Sequence, residues 1–326
     1  MKRLFLIAYL LLLIELCMPQ SEKTEREEAV PAVTIIPAAT AEPVEQISPP
    51  VVQKLKVLVD GETVEMDMQE YLKGVLSAEM PASFPEEALK AQAVAARSYA
   101  MYCVNTGKHS DAQLCTDFAC CQSWDSEQAQ REKWGENYEL YAKKIASAVE
   151  ATAGEYLAYE GEAIFAAFHS SSAGATEDSG QVWNSLPYLV SVESPETSEN
   201  VPGFVSTLQC APIDFRDTIL YARPEADFTS EPENWIGEIR RDRSGRVETA
   251  RLGGVEIEGT LIRQLFALRS TAFELSYLDG SFQFTVTGYG HGVGMSQYGA
   301  KLMAENGSDY HSILAHYYSG TTLYRS

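Results

Sequence analysis

Tyr71-Leu-Lys-Gly-Val-Leu-Ser-Ala-Glu79-Met-Pro81, followed by Ala88-Leu-Lys-Ala-Gln-Ala-Val-Ala-Ala-Arg97-Ser-Tyr-Ala-Met-Tyr102, places two charged groups on apolar helical faces. Tyr71, Leu72, Val75, Leu76 and Glu79 recur at three- and four-residue spacing, which predicts a helix whose apolar stripe ends in an acid. Asp67 with Glu70 three residues on marks its start, and Met80-Pro81 its stop. A carboxyl at a helix C-terminus meets the negative end of the dipole and partial desolvation, and both favour its protonated form. That suits a general acid. The second segment opens on Ser83-Phe-Pro-Glu86, a capping-box pattern, and its alanines permit close backbone packing. Arg97 shares a stripe with Ala93 and Ala100, so its guanidinium needs an anion or a carbonyl, with Glu79 or a ligand's acidic or acetamido group as the nearest candidates. A purely structural ion pair between Glu79 and Arg97 fits the same period.

Lys2-Arg3 precede a mostly apolar run, Leu4 to Met18, which is broken by Glu15 and reads as an export signal. The run is short for a spanning helix, yet no small-x-small cleavage site follows it, so residues 1–20 are expected to remain as a single-pass signal-anchor. Cys17 invites a lipoprotein reading, but Leu16 before it is too large for the usual lipobox. Residues 21–53, with Pro31, Pro37, Pro43, Pro49 and Pro50 among Glu, Thr, Ala and Val, predict a disordered tether. Residues 54–326 can bury a sizeable core as one large domain or two tightly joined lobes outside the cytoplasm. The net charge of −21, without a Lys/Arg run beyond residue 3, excludes nucleic acid as an expected partner. A neutral or amphiphilic polymer, or a partner protein, suits an acidic exported chain. Its 17 tyrosines and 4 tryptophans are compatible with stacking on sugar rings, although tyrosines also fill cores.

The cluster His109-x5-Cys115-x4-Cys120-Cys121 supplies three thiolates and an imidazole, a full tetrahedral set for a structural zinc. Disulfides or free thiols are the alternative for an exported chain, although a bridge between Cys120 and Cys121 would be strained and Cys210 is the only thiol downstream. Cys103, late in the alanine-rich helix, reads as a packed core thiol.

Asn137 to Thr152 reads as an amphipathic helix closed by Gly154, and Glu155 to Tyr159, Glu160-Gly161 and Ala163 to His169 as a hairpin. His169-Ser-Ser-Ser-Ala-Gly-Ala-Thr176 follows, a hydroxyl-rich loop at a strand end. With no G-x-S-x-G elbow and no orienting acid, polar substrate contacts are favoured over a nucleophilic serine. Residues 190 to 255 lack a clean period and read as an irregular insertion or a second lobe. Phe273 to Tyr277 and Ser281 to Thr287 flank Asp279-Gly280 as a second hairpin. In Gly288-Tyr-Gly-His-Gly-Val-Gly-Met-Ser-Gln-Tyr-Gly-Ala300, glycines lead into a helix predicted from about Met295 to Glu305. No P-loop lysine or Rossmann acid accompanies them, so the loop is read as a close-approach surface with His291, Ser296, Gln297 and Tyr298 on a polar edge. A tight strand-to-helix turn with His291 merely hydrogen-bonded is the plainer alternative. The fold class predicted from these pieces is α+β, with helices and antiparallel hairpins in a two-lobed catalytic domain around a substrate groove.

Three separated motifs, Gly74 to Pro81 with Ala88 to Tyr102, His169 to Thr176 with Val182-Trp-Asn and Pro187-Tyr-Leu, and Gly290 to Ala300, together resemble the stage II sporulation protein D family, related to amidase-enhancer domains of wall enzymes. The resemblance implies a membrane-tethered lytic transglycosylase of peptidoglycan, acting during engulfment in the septal or forespore-facing space. It would cleave the bond between N-acetylmuramic acid and N-acetylglucosamine, with formation of a 1,6-anhydro ring, on strands already stripped of stem peptides by an amidase partner. By position it makes Glu79 the catalytic glutamate, with Arg97 in support. Gln92, Tyr99, His169, Ser170, Ser171, His291, Ser296, Gln297 and Tyr298 are expected along the groove. Some relatives bear a His-x5-Cys-x4-His-Cys zinc site at the cluster position, and Cys120, in place of the second histidine, is a competent ligand. The rivals are a noncatalytic wall-binding enhancer of an amidase, and ordinary hydrolysis by Glu79 with a second acid such as Asp178.

Overall fold

In the computed structural model, which describes residues 53–325, β1 (Lys54–Val59) and β2 (Glu62–Asp67) pair antiparallel and lead into α1 (Met68–Glu79). The expected anchor and tether lie outside the described residues, apart from position 53. Among the described residues no helix is long and apolar enough to cross a membrane. Asp67 caps α1 as its sequence predicts, the carboxylate accepting from the Gln69 N–H at 2.7 Å. Pro81 follows the C-cap Met80 and leaves Glu79 as the last helical residue. α2 (Glu86–Thr106) begins where expected by other means: Pro85 is its N-cap and no side chain caps it, so the Ser83 capping box does not form. Glu87 accepts instead from the Tyr310 N–H at 2.9 Å.

β3 (Leu114–Cys115) joins β1 in parallel, and α3 (Glu127–Trp134) and α4 (Tyr138–Ala151) follow. β4 (Glu155–Tyr159) and β5 (Glu162–Ala163) make the first predicted hairpin. The hairpin ends sooner than its sequence suggests, because β6 (Phe168–His169) leaves to pair elsewhere. β7 (Val205–Cys210), α5 (Pro212–Ala222), β8 (Ile236–Arg241) and β9 (Val247–Leu252) occupy the stretch without a clean period, β10 (Val255–Glu258) and α6 (Gly259–Leu265) follow it, and β11 (Phe273–Leu278) and β12 (Ser281–Thr287) form the second hairpin. Asp279 and Gly280 both take positive φ there, 50° and 77°, as a two-residue turn of this twist requires. β13 (Met295–Ser296), α7 (Gln297–Glu305), α8 (Tyr310–Tyr317) and β14 (Thr322–Arg325) complete the order.

The α+β class holds, with one correction: the pairings of β1 with β3 and of β6 with β13 are parallel. Two apolar cores form. The first surrounds α2, whose Ala88, Ala91, Ala93, Ala95, Ala96 and Ala100 are inaccessible and let α1, α4, α7, α8 and β4 close in. The second gathers around Phe215, which stacks on Phe282 at 3.9 Å, with Trp235 on the same ring at 5.6 Å.

Arg97 sits inside the first core, 3% exposed. The expected pairing with Glu79 does not occur. Its guanidinium donates to the carbonyls of Glu155 at 2.8 Å and Val149 at 3.4 Å. Val149 lies in the last turn of α4, where carbonyls lack helical partners, so the cation caps that helix at the favourable end of its dipole. Burial pulls the Arg97 pKa down to about 10, so the group stays charged at neutral pH. Cys103 is buried in the same core, as its position predicts.

Gly74 packs α1 against Trp124, and a Cβ there would overlap the indole ring. Gly74→Ala is expected to cost about 1–3 kcal/mol through overpacking, read as a lowered melting temperature. An unchanged melting temperature would show that this contact does not hold α1.

Candidate active site

Glu79 opens onto a cleft of about 740 Å³ and is the only carboxylate among the described residues that line it. The charge is handled by Ser123, through its backbone N–H and its hydroxyl. Oε1 accepts from the Ser123 N–H at 2.8 Å, which favours the ionised carboxylate and partly offsets the desolvation that raises its pKa. Desolvation is the larger effect, so the carboxyl keeps its proton to a higher pH than an exposed glutamate, as the apolar stripe predicts. Ser123 is positioned from both sides: Gln122 accepts from the Tyr71 hydroxyl at 3.1 Å, and Lys133 bridges the Ser77 carbonyl, at 2.7 Å, to Asp125, at 3.1 Å. Glu79 and Ala78 also line a smaller cavity of about 320 Å³ with Lys133, Trp134 and Tyr141.

Immediately before Ser123, the side chains of His109, Cys115, Cys120 and Cys121 converge until their donor atoms lie within 4.8 Å of one another. His109 Nε2 is 3.4 Å from Cys121 Sγ and 3.8 Å from Cys120 Sγ, and the two sulfurs are 4.0 Å apart. A tetrahedron with bonds of about 2.0–2.3 Å has edges near these lengths, so the donor set fits zinc. The sulfurs are too far apart for a bond of about 2.05 Å, and all five described cysteines are unpaired.

Of the residues expected along a groove, Tyr99, His169, Ser170, His291 and Gln297 line this cleft with Glu79. The parallel pairing of β6 with β13 sets Ser296 opposite His169 and so joins the hydroxyl-rich loop to the glycine-rich one. Gln92 is fully buried behind Gln297, whose amide it meets at 3.5 Å. Ser171 is consumed by backbone pairing with Tyr289, and Ser296 caps α7 while bonding Glu196. Tyr298 packs edge-on against Phe84 at 5.1 Å. These four, like Arg97, stand outside the cleft lining. Asp178, the candidate second acid, lines another cleft with Glu177 and Asp242.

The two histidines are held neutral. His169 Nδ1 must donate to the Val293 carbonyl at 3.2 Å, leaving Nε2 to accept from the Ser172 hydroxyl at 2.9 Å. Ser172 is wholly buried, and its nearby acid, Glu196, accepts from the Ser172 backbone rather than from His169, so no nucleophilic triad exists. His291 Nδ1 accepts from the Val293 N–H at 3.1 Å, and the ring also hydrogen-bonds the Phe168 backbone. Desolvation holds the His169 pKa well below the usual value and, with the nearby Arg263 charge, pushes His291 down to about 4.

Sequence patterns gave no site role to several cleft residues, Trp183 among them although it lies in the quoted Val182-Trp-Asn motif. Phe118, 80% exposed, and Trp183, whose ring lies 4.8 Å from that of His291, offer apolar faces. Lys108 donates to the Cys120 carbonyl, and Arg263 arrives from α6. The Ser123 N–H is a backbone donor and leaves no trace in residue type, and the hydroxyl that joins it at Glu79 belongs to a serine no local pattern marks.

A family model described as "Stage II sporulation protein" matches residues 61–159. Stage II sporulation protein D of Bacillus amyloliquefaciens is 36% identical over 261 residues, covering 78% of this chain and 74% of that protein. The chain belongs to the stage II sporulation protein D family. The family's member from Bacillus subtilis (strain 168) is 35% identical over the same coverage, and a protein of that strain named amidase enhancer is 32% identical over 303 residues, spanning 77% of this chain and 40% of that longer protein. The family resemblance read from the three motifs is thereby upheld.

Because the native state refuses the His291 proton until about pH 4 while the unfolded chain binds it near pH 6.5, stability should fall as pH drops through that window. A His291→Gln variant is expected to flatten the slope of melting temperature against pH between about 6.5 and about 4. An unaltered slope would show that His291 titrates normally.

Proposed function

We propose that this family member is a lytic transglycosylase that cuts peptidoglycan glycan strands between N-acetylmuramic acid and N-acetylglucosamine. The observation that carries this reading is the lone, desolvated Glu79 carboxyl in its cleft. Glycoside hydrolases commonly use two carboxylates, one of which activates water or attacks the sugar. One acid suffices when the sugar supplies its own nucleophile. Glu79 gives its proton to the glycosidic oxygen as the bond to C1 of the muramic residue breaks. The resulting carboxylate, stabilised by the Ser123 N–H, takes the proton of the C6 hydroxyl as that oxygen bonds C1. The products are a 1,6-anhydro end and a new N-acetylglucosamine end, with no water consumed.

Tyr99, Ser170 and Gln297 offer uncharged polar contacts along the strand, and Phe118 and Trp183 offer faces for sugar rings. Arg97 acts at a distance, by fixing α2 against β4 and α4. Zinc bound to His109, Cys115, Cys120 and Cys121 would be a closed structural centre holding the turn that presents Ser123. Residues 1–20 would anchor the chain in the cell membrane and residues 21–53 tether the two-lobed domain outside the cytoplasm, where it would act on amidase-stripped strands during engulfment.

Purified full-length chain is expected to release anhydro-ended fragments from stripped glycan, lighter by one water than hydrolysis products in a mass spectrum, and Glu79→Gln to lower that release by about 10³-fold or more. Equal release by both proteins sinks the assignment, and reducing ends would reveal hydrolysis. Since the protonated carboxyl is the active form, the rate should fall with rising pH through a midpoint above the ordinary glutamate range. The similarity to the amidase enhancer favours one second reading, a noncatalytic module that stimulates an amidase. It predicts that Glu79→Gln stimulates amidase as well as the unmutated chain does. Metal analysis of reduced protein should find about one zinc per chain, lost in Cys120→Ala, and its absence from the unmutated chain rules out the metal assignment.

A further inference from the structure

The cleft wall opposite in sequence to Glu79 is furnished by the second core. α6 carries Arg263 into the lining beside Tyr289, Gly290 and His291. Its Nε donates to the Leu268 carbonyl at 3.3 Å, which anchors one edge of the guanidinium. Among the described residues no carboxylate pairs with it, whereas Arg240, Arg241 and Arg246 of the same region each have one within 4.0 Å. Both terminal nitrogens lack a protein partner among the described residues, yet they are not among the buried unsatisfied atoms, so they keep contact with the cleft solvent. The other cleft cation, Lys108, is engaged by the Cys120 carbonyl and the Tyr99 hydroxyl. Neighbouring His169 and His291 are neutral and cannot act as counter-ions. A half-buried guanidinium with one edge fixed and the other open is arranged to meet a planar anion in a two-point contact.

In a glycan strand made of N-acetylglucosamine and N-acetylmuramic acid, the only anion is the lactyl carboxylate on the muramic residue. It exists only where no peptide is attached, because a stem peptide converts it to a neutral amide. We propose that Arg263 is a specificity-determining residue that binds the free lactyl carboxylate of muramic acid and thereby selects strands from which the stem has been removed. This rests on the cleft being the glycan site. The selection has two components: a peptide-bearing residue presents a neutral amide where the lactyl carboxylate would stand, and at that position it leaves a partly desolvated cation unpaired.

The test uses full-length Glu79→Gln protein, so that binding is measured without turnover. Three soluble glycan oligomers are compared by calorimetry: amidase-stripped strands, the same strands with every lactyl carboxylate coupled to methylamine, and strands with intact stems. Stripped strands should bind about tenfold more tightly than methylamide strands, and the difference should shrink as salt is raised. Adding Arg263→Gln should abolish the preference while leaving methylamide binding in place, and Arg263→Lys should retain part of it. Equal affinity for stripped and methylamide strands overturns the proposal, and that comparison needs no substitution at 263. Affinity for intact strands equal to that for stripped ones overturns it as well. Failure of all three oligomers to bind overturns the glycan reading along with it. If the preference is present but the unmutated chain makes no anhydro ends, the role of Arg263 stands and the proposed reaction falls.

Discussion

The Arg97 guanidinium, buried where a charge is costly, binds two carbonyls from segments far along the chain and so sets the position of the helix around which the first core forms. α2 can be enclosed so closely because alanines make up so many of its buried side chains, and an enclosed helix has no solvent into which a long cation can turn. The chain resolves this by bringing the C-terminal turn of α4 and the start of β4 to the cation. Both must then lie where α2 dictates, and α1 is packed against the same helix with Glu79 at its end. The geometry of the acid thus depends on an ion that never touches it.

Much of the first core, and one hairpin of the second, is legible in sequence because the signals there are local. The Asp67 cap, the stop at Pro81, the stripe ending at Glu79 and the Asp279-Gly280 turn each depend on residues a few positions apart, and each is found. The cluster of His109 with the cysteines is equally local in spacing, and its side chains do converge. The buried state of Arg97 follows from its period, but its partner does not. A guanidinium accepts any oxygen, and a carbonyl supplied by tertiary packing is invisible in residue types.

Other features were hidden for the same reason. β6 reads as a continuation of its hairpin, yet it leaves to pair with β13, a choice fixed by how two distant loops dock. Ser171, Ser296 and Tyr298 read as groove contacts, but backbone pairing, helix capping and aromatic packing claim them first. In the region from 190 to 255, short strands interrupted by turns blur any period, although their apolar residues do assemble around Phe215. Arg263 sits in an ordinary helical stretch, and only the approach of the second core to the first reveals that it faces Glu79's cleft.

The hydrogen bond from Ser123 to Glu79 has a consequence for how such a site can diverge. Its donor belongs to the main chain, so every residue except proline can supply it at that position. A change of side chain at 123 would therefore keep the backbone bond and remove only the serine hydroxyl, which also hydrogen-bonds the carboxyl and favours its ionised form. Selection for that backbone bond would act on the residues that shape the turn, and a tally of invariant positions across relatives would record the acid while passing over its main-chain donor.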